Sequence, residues 1–582
     1  MSRNDEVAAL FEEFADLLEA QDVEYKPRSY RRAAESVREH PRPIEEVAAE
    51  GQDALGEIDG VGDAISAKIV EYVETGEIEE LEELRLELPV DMAALTAVEG
   101  VGPKTVGRLY EALGITDLDD LERAAREGEI REVSGFGAKT EENIAEHIPF
   151  ARRARERQLL GEARPLADDV LAHLRGVDAV ERCDVAGSIR RWRDTIGDVD
   201  ALAASTDADA VVAALTDWDR VGEVIEAGTS KASVRVADVR IDLRVVDLDE
   251  FGAALQYFTG SKDHNVALRN RAIDRGLKMN EYGVFDVSDV DDPDAGQRVG
   301  TRIGGETEVE MYGALDLPVI PPELREETGE IEVAAAGDLP DLVTIEEIRG
   351  DVHTHTDWSD GDVTIREMVD AAVERGYDYH CVTDHATGPG MVGGVGLDDD
   401  ALREQAETVR EVAADAPIPV YHGVETNVDA EGGLSTADDL LADLDVVVAS
   451  PHSALDQGRE AATDRLVRAV EHPAVDVLGH PHGRLLNRRA GLDPDVERVA
   501  TAAAEHGVAL EVNANPHRLD LPGEAVRIAV EAGATIAVDT DAHRPAELDH
   551  VRYGVHTARR GWAEAADVLN ARDADAFASF VE

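Results

Sequence analysis

Cysteine is almost absent from this 582-residue chain: Cys183 and Cys381 are the only two, far apart in sequence. That excludes a disulfide framework and a thiolate zinc site of the CxxC kind. Both are expected to be small buried hydrophobes. Lysine is nearly as scarce. Of 57 basic residues only seven are lysines, all before residue 279, so arginine carries most of the positive charge. Long apolar runs are missing too. None reaches the length of a bilayer span, and the start, MSRNDEVAALFEEF, has no secretory apolar core. A cytoplasmic location without a membrane partner is expected. Aromatic residues make up only 4% of the chain, yet 43% of residues are hydrophobic, enough for several buried cores and against wholesale disorder.

Acid is what the chain has in excess. Asp and Glu total 125, giving a formal net charge of −68, spread along the whole length. An even acidic surface with so little lysine resembles proteins from organisms that hold molar salt in the cytosol. There the Debye length shrinks to about 3 Å and surface repulsion is largely screened. The net charge therefore does not exclude a phosphate-rich partner, and the absence of a basic face loses its usual meaning.

One pattern occurs three times: IDGVGDAISAKIVEYV (58–73), VEGVGPKTVGRLYEAL (98–113) and VSGFGAKTEENIAEHI (133–148). Each has two glycines around one residue, then an apolar period of helical spacing. The pairs are Gly60/Gly62, Gly100/Gly102 and Gly135/Gly137. This is the helix-hairpin-helix pattern. The glycines allow a tight turn and close approach, and the following helix offers unpaired N–H groups to a phosphate. Such a grip needs no lysine. About 145 residues at the N-terminus are expected to be all-helical clamps for the DNA backbone.

Residues 150–320 mix helical stretches with strand-like runs such as VERCDVAGSIRR, DVDALAAS and SVRVADVRIDLRVV. In a strand, residues i and i+2 point the same way. Asp198 and Asp200 should thus share a face. In VRIDLRVV, Arg240, Asp242 and Arg244 should share one face, and Val239, Ile241, Leu243 and Val245 the other. If these strands are neighbours, three carboxylates meet, enough for two Mg²⁺ ions in a phosphoryl displacement. Gly187 and Ser188 at a turn, with Arg190 and Arg191, would face the phosphates.

Together with LQYFTGSKDHNVALRNRAIDRGLKMNEYGVF (255–285), these residues resemble the nucleotidyltransferase superfamily and, within it, the family X DNA polymerases. The resemblance implies an α+β palm and thumb. It implies that Asp198, Asp200 and Asp242 are catalytic and hold Mg²⁺ or Mn²⁺, with Asp242 also placed to assist the primer 3′-hydroxyl. It makes Gly187, Ser188, Arg191, Tyr257, Phe258, Gly260, Asn265 and Arg269 the nucleotide-binding set. In the N-terminal region Lys68 aligns with the lysine that forms a Schiff base in a family member, and Lys26 and Tyr30 also have counterparts. Glu80, however, stands where that member carries a phosphate-binding lysine.

Past residue 346, apolar strand-like runs alternate with helical patterns, as in a β/α barrel. The end of each run carries ligand-type residues: His353, His355 and Asp360; Asp384 and His385; Glu425; His452; His480 and His482; Asp541 and His543. Mixed imidazole and carboxylate suits Zn²⁺, Mn²⁺ or Fe²⁺ rather than Ca²⁺. This order of ligands resembles the PHP (polymerase and histidinol phosphatase) family. The resemblance implies a distorted β/α barrel with up to three metals. His353, His355, Glu425 and Asp541 would surround one. Glu425, His452 and His480 would hold a second, and Asp360, His385 and His543 a third. Asp384 would stand behind the ligands, His482 lies outside the pattern, and Arg518 would meet substrate phosphate.

The expected organisation is therefore a lyase-like helical domain with the first hairpin at 1–90 and further hairpins at 91–149. A nucleotidyltransferase palm and thumb follow at 150–320, a connector at 321–345, and a PHP phosphoesterase domain at 346–582. The expected function is filling of short gaps in DNA from dNTPs, with phosphodiester hydrolysis as a 3′–5′ exonuclease or abasic-site endonuclease. Gapped or primer–template DNA and dNTPs are the expected partners, and the chain is expected to act as a monomer. Two alternatives stay open: a phosphoesterase whose polymerase half only holds DNA, and a non-enzymatic scaffold that binds DNA ends.

Overall fold

The computed structural model describes residues 3–581 apart from 24, 25, 39, 41, 57, 59, 99, 238, 294 and 391–394. Residues 1–157 with 487–489 form one compact unit, and 158–486 with 490–582 a second.

The first unit is helical, from Arg3–Ala20 to Ala138–Glu156. That last helix runs past the boundary expected at 149. The three glycine turns are built alike. Gly60, Gly100 and Gly135 have φ of +71°, +82° and +87°, a conformation that a Cβ would disfavour by about 1–2 kcal/mol. Gly62, Gly102 and Gly137 then begin the helices Asp63–Thr75, Pro103–Leu113 and Ala138–Glu156, with no side chain capping any of the three. The space beside each of these starting glycines is open. Their first-turn N–H groups therefore remain for a ligand. One apolar core serves the unit, with Phe14 stacked on Tyr30 at 4.3 Å.

The second unit begins with a five-stranded sheet in the order Arg182–Val185, Val199–Ala204, Val239–Val246, Lys231–Val236, Glu223–Ala227. Val199–Ala204 and Val239–Val246 run parallel, with Asp200 directly opposite Asp242. The alternation read in VRIDLRVV holds: Val239, Ile241, Leu243 and Val245 are buried in one core with residues of the helices Leu160–Arg175 and Ala208–Thr216. A smaller antiparallel sheet of Leu277–Asn280, Gly283–Asp286 and Thr301–Gly304 follows. The stretch 321–345, expected as a connector, is packed: Leu324, Ile331, Ala334 and Leu342 share one core with Met311 and Tyr312.

The rest is a parallel sheet of seven strands in chain order, Gly350–Asp351, Tyr379–Val382, Val420–Asn427, Val446–Ser450, Val477–Leu478, Ala509–Asn513 and Thr535–Asp539. It curls into a nearly closed barrel. Among the described residues no ladder joins the first strand to the last, and the buried Asn570 fills the seam. Asn570 Oδ1 accepts from Val538 N at 2.6 Å, and Nδ2 donates to Gly350 O at 3.2 Å and Asp539 Oδ1 at 2.8 Å.

The body around the five-stranded sheet stands where the palm is expected, is called the palm below, and is fused to the barrel. Leu519 and Tyr553 of the barrel belong to the palm core, and Trp192 stacks on His556 at 3.6 Å. Two carboxylates, the buried Glu323 and the half-buried Glu308, brace this body. Glu323 accepts from His556 Nδ1 and Arg559 Nε, both at 2.7 Å, and Glu308 accepts from both Nη atoms of Arg190 and from Arg325. Burial alone would raise both carboxyls. Arg325 and Arg190 instead bring Glu308 down to about 2, and His556 and Arg559 do the same for Glu323. A carboxyl depressed on folding stabilises fully above its unfolded value, near 4.3, and loses that contribution as pH falls through its folded value. The two together should cost about 3 kcal/mol of unfolding free energy between about pH 5.5 and about pH 3. Denaturant titration of the full chain at both pH values checks this. A Glu323→Gln variant should lose about 1.5 kcal/mol of this pH dependence, its own share of the pair.

Candidate active sites

The first cluster follows from the parallel pair of strands. Asp198, Asp200 and Asp242 bring one carboxylate oxygen each within 4.8 Å of one another. Burial, with repulsion from Asp198 and Asp242, pushes Asp200 up to about 7. Carboxylates so crowded favour a cation among them. Ser233 Oγ donates to Asp242 Oδ1 at 2.5 Å and Arg240 Nε donates to the same oxygen at 3.0 Å, fixing that carboxylate. The backbone beside Asp200 must be glycine. Gly187 has φ +63°, and a Cβ there would stand 2.0 Å from Asp200 Oδ2. A cavity of about 220 Å³ opens beside the carboxylates, walled in part by Ser233, Arg244 and Phe258.

The YFTGS segment reaches this cavity through Phe258, whose ring lies 4.3 Å from the Arg244 guanidinium and 5.1 Å from the Tyr257 ring, edge-on. Asn265 holds the turn itself. Its Nδ2 donates to Tyr257 O at 2.7 Å and Gly260 O at 3.2 Å, and its Oδ1 accepts from Gln256 at 2.9 Å. Gly260 has no room for a Cβ, which would lie 2.5 Å from Asn265 Oδ1. Arg269, one helical turn on from Asn265, is exposed.

The two arginines expected to face phosphates have other partners. Arg190 forks onto Glu308 at 2.9 and 2.8 Å and donates to Thr259 Oγ1 at 3.0 Å. Arg191 donates to Glu326 at 2.9 Å and to Thr259 O at 2.6 Å. Both therefore tie the palm to the segment that follows the YFTGS turn. Nothing near them in sequence announces Glu308 or Glu326.

The second cluster lies at the C-terminal ends of the barrel strands. Glu425, wholly buried, is its centre. His385 Nδ1 lies 2.5 Å from Glu425 Oε2, and His480 Nε2 and His452 Nε2 lie 3.0 and 3.2 Å from Oε1. His353 Nε2 is 3.5 Å and His355 Nε2 3.8 Å from this carboxylate, and His355 Nε2 is 3.0 Å from Asp541 Oδ1. Asp360 lies 3.3 Å from His385 and 3.4 Å from His543. Three groups converge within 4.8 Å: His355, Asp360, His385 and His543; His353, His355 and Glu425; His385, Glu425 and His452.

These atoms crowd together without satisfying one another. His353 Nε2, both ring nitrogens of His355, His385 Nδ1 and Glu425 Oε2 are buried and make no hydrogen bond among the described residues. Buried polar atoms are rarely left so. Their lone pairs converge on shared centres rather than on each other, as ligands of a cation do, and the nitrogen–oxygen donor set fits Zn²⁺, Mn²⁺ or Fe²⁺. The imidazoles divide: against the effect of burial, Glu511 and Glu425 hold His353, and Glu425 and Asp360 hold His385, well above the usual imidazole range. Burial lowers His355 to about 3, helped by His385 and His543, which keeps it an uncharged ligand. Burial opposes the charge on Glu425, yet the imidazoles of His385, His452 and His353 hold it well below the usual carboxylate range.

Around the cluster stand residues that the sequence did not single out. Glu511, buried in the strand Ala509–Asn513, accepts from His353 Nδ1 at 2.6 Å, and Asn427 Oδ1 lies 2.7 Å from His452 Nδ1. Such partners fix ring orientation. A charged residue inside a fully buried parallel strand was the available signal for Glu511. Asp384 is used up by Thr356, Ser359 and Gln405. His482 turns away to Asp520, 3.2 Å off. Arg518 Nε stands 3.7 Å from Asp541 Oδ2.

Four family models match the chain: a helix-hairpin-helix domain over residues 2–78, a SAM-like helix-hairpin-helix tandem over 92–148, the DNA polymerase beta thumb over 254–326, and the PHP domain over 351–515. Among curated relatives, the DNA polymerase/3′-5′ exonuclease PolX of Bacillus subtilis is 34% identical over 580 residues, 98% of each chain. The DNA polymerase lambda of Arabidopsis thaliana is 26% identical over 346 residues, 55% of this chain and 62% of the relative. A probable phosphatase of Thermoanaerobacter sp. is 32% identical over 209 residues, 33% of this chain and 78% of the relative.

Proposed function

The chain belongs to the family X DNA polymerases that carry a PHP domain, and we propose that it is a DNA-repair enzyme with two active sites. It fills short gaps from dNTPs at Asp198, Asp200 and Asp242. It hydrolyses DNA phosphodiesters at the histidine-rich mouth of the barrel, as a 3′–5′ exonuclease or an abasic-site endonuclease. The observation that carries this reading is that two separate sets of ligand atoms converge in one compact unit.

At the first site the three aspartates would hold Mg²⁺ or Mn²⁺, which when bound offsets the charge of a triphosphate and eases attack on it. The chain's own residues set the geometry. Gly187 lets Ser188 and its backbone approach the phosphates, Ser233 and Arg240 hold Asp242 toward the primer 3′-hydroxyl, and Asn265 keeps Tyr257 and Phe258 beside the cavity. At the second site up to three Zn²⁺, Mn²⁺ or Fe²⁺ ions would be held by His353, His355, Asp360, His385, Glu425, His452, His480, Asp541 and His543, supplying Lewis acidity toward a phosphate. Glu511 and Asn427 orient two of these imidazoles, and Arg518 receives the phosphate. The glycine turns of the first unit would hold the DNA backbone through their amides. Lys68 stays a candidate Schiff-base lysine, but its Nζ lies 2.5 Å from Glu80 Oε2. It must lose that partner before it can attack an aldehyde.

The test is a 5′-labelled primer facing a short gap, in molar KCl with Mn²⁺, with and without dNTPs. Extension with dNTPs and shortening without them is the expected result. Shortening alone under both conditions would leave the polymerase half as a DNA-holding module, and neither reaction would leave only a scaffold.

A further inference from the structure

Resting on the phosphoesterase reading above, we infer that Arg484 is a positioning residue for DNA hydrolysis and that Asp194, a residue of the polymerase palm, anchors it. Arg484 lies just past the ligand residue His480, outside all three ligand groups of the barrel. Its Nε donates to Arg518 O at 2.9 Å, its Nη2 donates to Leu519 O, and its backbone N donates to Asp520 Oδ2 at 3.3 Å. One arginine thus binds three successive residues of the turn at 515–520. The same Nη2 donates to Asp194 Oδ2 at 2.9 Å. Asp194 sits on the loop that joins Arg191 to Asp198, and its own carbonyl accepts from Leu160 N at 3.0 Å. The palm therefore grips Arg484 from one side while Arg484 grips the turn from the other.

What the turn carries explains why this matters. Arg518 stands at the mouth, 3.7 Å from Asp541 Oδ2, and Asn513, paired with Asp520 through the backbone, donates to the same Asp541 oxygen at 3.0 Å. Leu519 is wholly buried in the palm core. The guanidinium of Arg518 is thus aimed by a turn two of whose supports, Leu519 and Arg484, rest on the palm. A phosphate contact made equally in the bound and transition states acts on KM, not on kcat.

The experiment follows hydrolysis of a labelled DNA primer by the full-length chain as Arg484→Met, Asp194→Asn and the double variant, beside wild type. Arg484→Met should raise KM about tenfold with kcat within about twofold, bound metal unchanged and gap filling intact. Asp194→Asn should raise KM by a smaller factor. The double variant should be no worse than Arg484→Met, because both act through one contact. Unchanged KM in both single variants overturns the proposal. So does a fall in kcat or in bound metal at constant KM, which general damage to the fold would cause. Failure of the wild type to hydrolyse DNA would instead sink the phosphoesterase reading itself.

Discussion

Asp200→Asn will lose primer extension by at least about 10³-fold while the same protein still shortens the primer. Asp200 is the middle carboxylate of the three, in register with Asp242 on the neighbouring strand and in contact range of the Gly187 backbone. Burial and two like charges already push it up to about 7, so in the fold the charged form is costly. An amide of the same shape removes that repulsion and cannot hold a cation in its place. Loss of activity should therefore come without loss of stability, and the variant should melt no lower than wild type in chelator. Extension at wild-type rate by Asp200→Asn would remove these aspartates from the reaction. Extension and hydrolysis lost together would mean that the sites are not separate.

The mirror result is expected at the barrel. Glu425→Gln should lower hydrolysis of a labelled primer by about 10³-fold and leave gap filling near wild type. Both oxygens of Glu425 are surrounded by imidazoles at 2.5 to 3.8 Å, and it belongs to two of the three ligand groups. Glutamine has nearly the same shape but neither the charge nor a second acceptor oxygen. Metal content measured on the purified protein should fall in parallel with hydrolysis. Full hydrolysis with full metal content would place the chemistry elsewhere in the chain.

The residues of both clusters were legible because they are written in short periods. Asp198 and Asp200 are two residues apart, Asp242 sits on the polar face of an alternating strand, and His353/His355 and Asp541/His543 are again two apart. A β-strand turns such spacings into shared faces by its pleat alone, and a parallel barrel collects strand ends at one mouth. The three glycine turns were legible for a similar reason. A left-handed φ followed by a helix start leaves few residues other than glycine to choose from.

Long side chains gave no such guide. Arg190 and Arg191 look like phosphate binders beside Asp198, and nothing in the sequence shows that they also pair with Glu308 and Glu326, more than a hundred residues on. Which carboxylate a guanidinium meets depends on which elements pack together, and in a chain with 125 acids every arginine has many apparent candidates. The same holds for the stretch 321–345. Its charged, glycine-containing sequence reads as a connector, but Leu324, Ile331 and Leu342 find a core only once the neighbouring helices are in place.

The sequence by itself thus determined which carboxylates and imidazoles share a face, the alternation of the strands, the order of the regions and the glycine turns, because each is set by local geometry over a few residues. Tertiary structure alone decided that palm and barrel are one body joined through Trp192, Leu519 and Tyr553. It also decided that Asn570 fills the barrel seam and that Asp194 reaches Arg484 across that junction. Those contacts depend on surfaces meeting over long sequence separations, and no spacing along the chain encodes such a meeting.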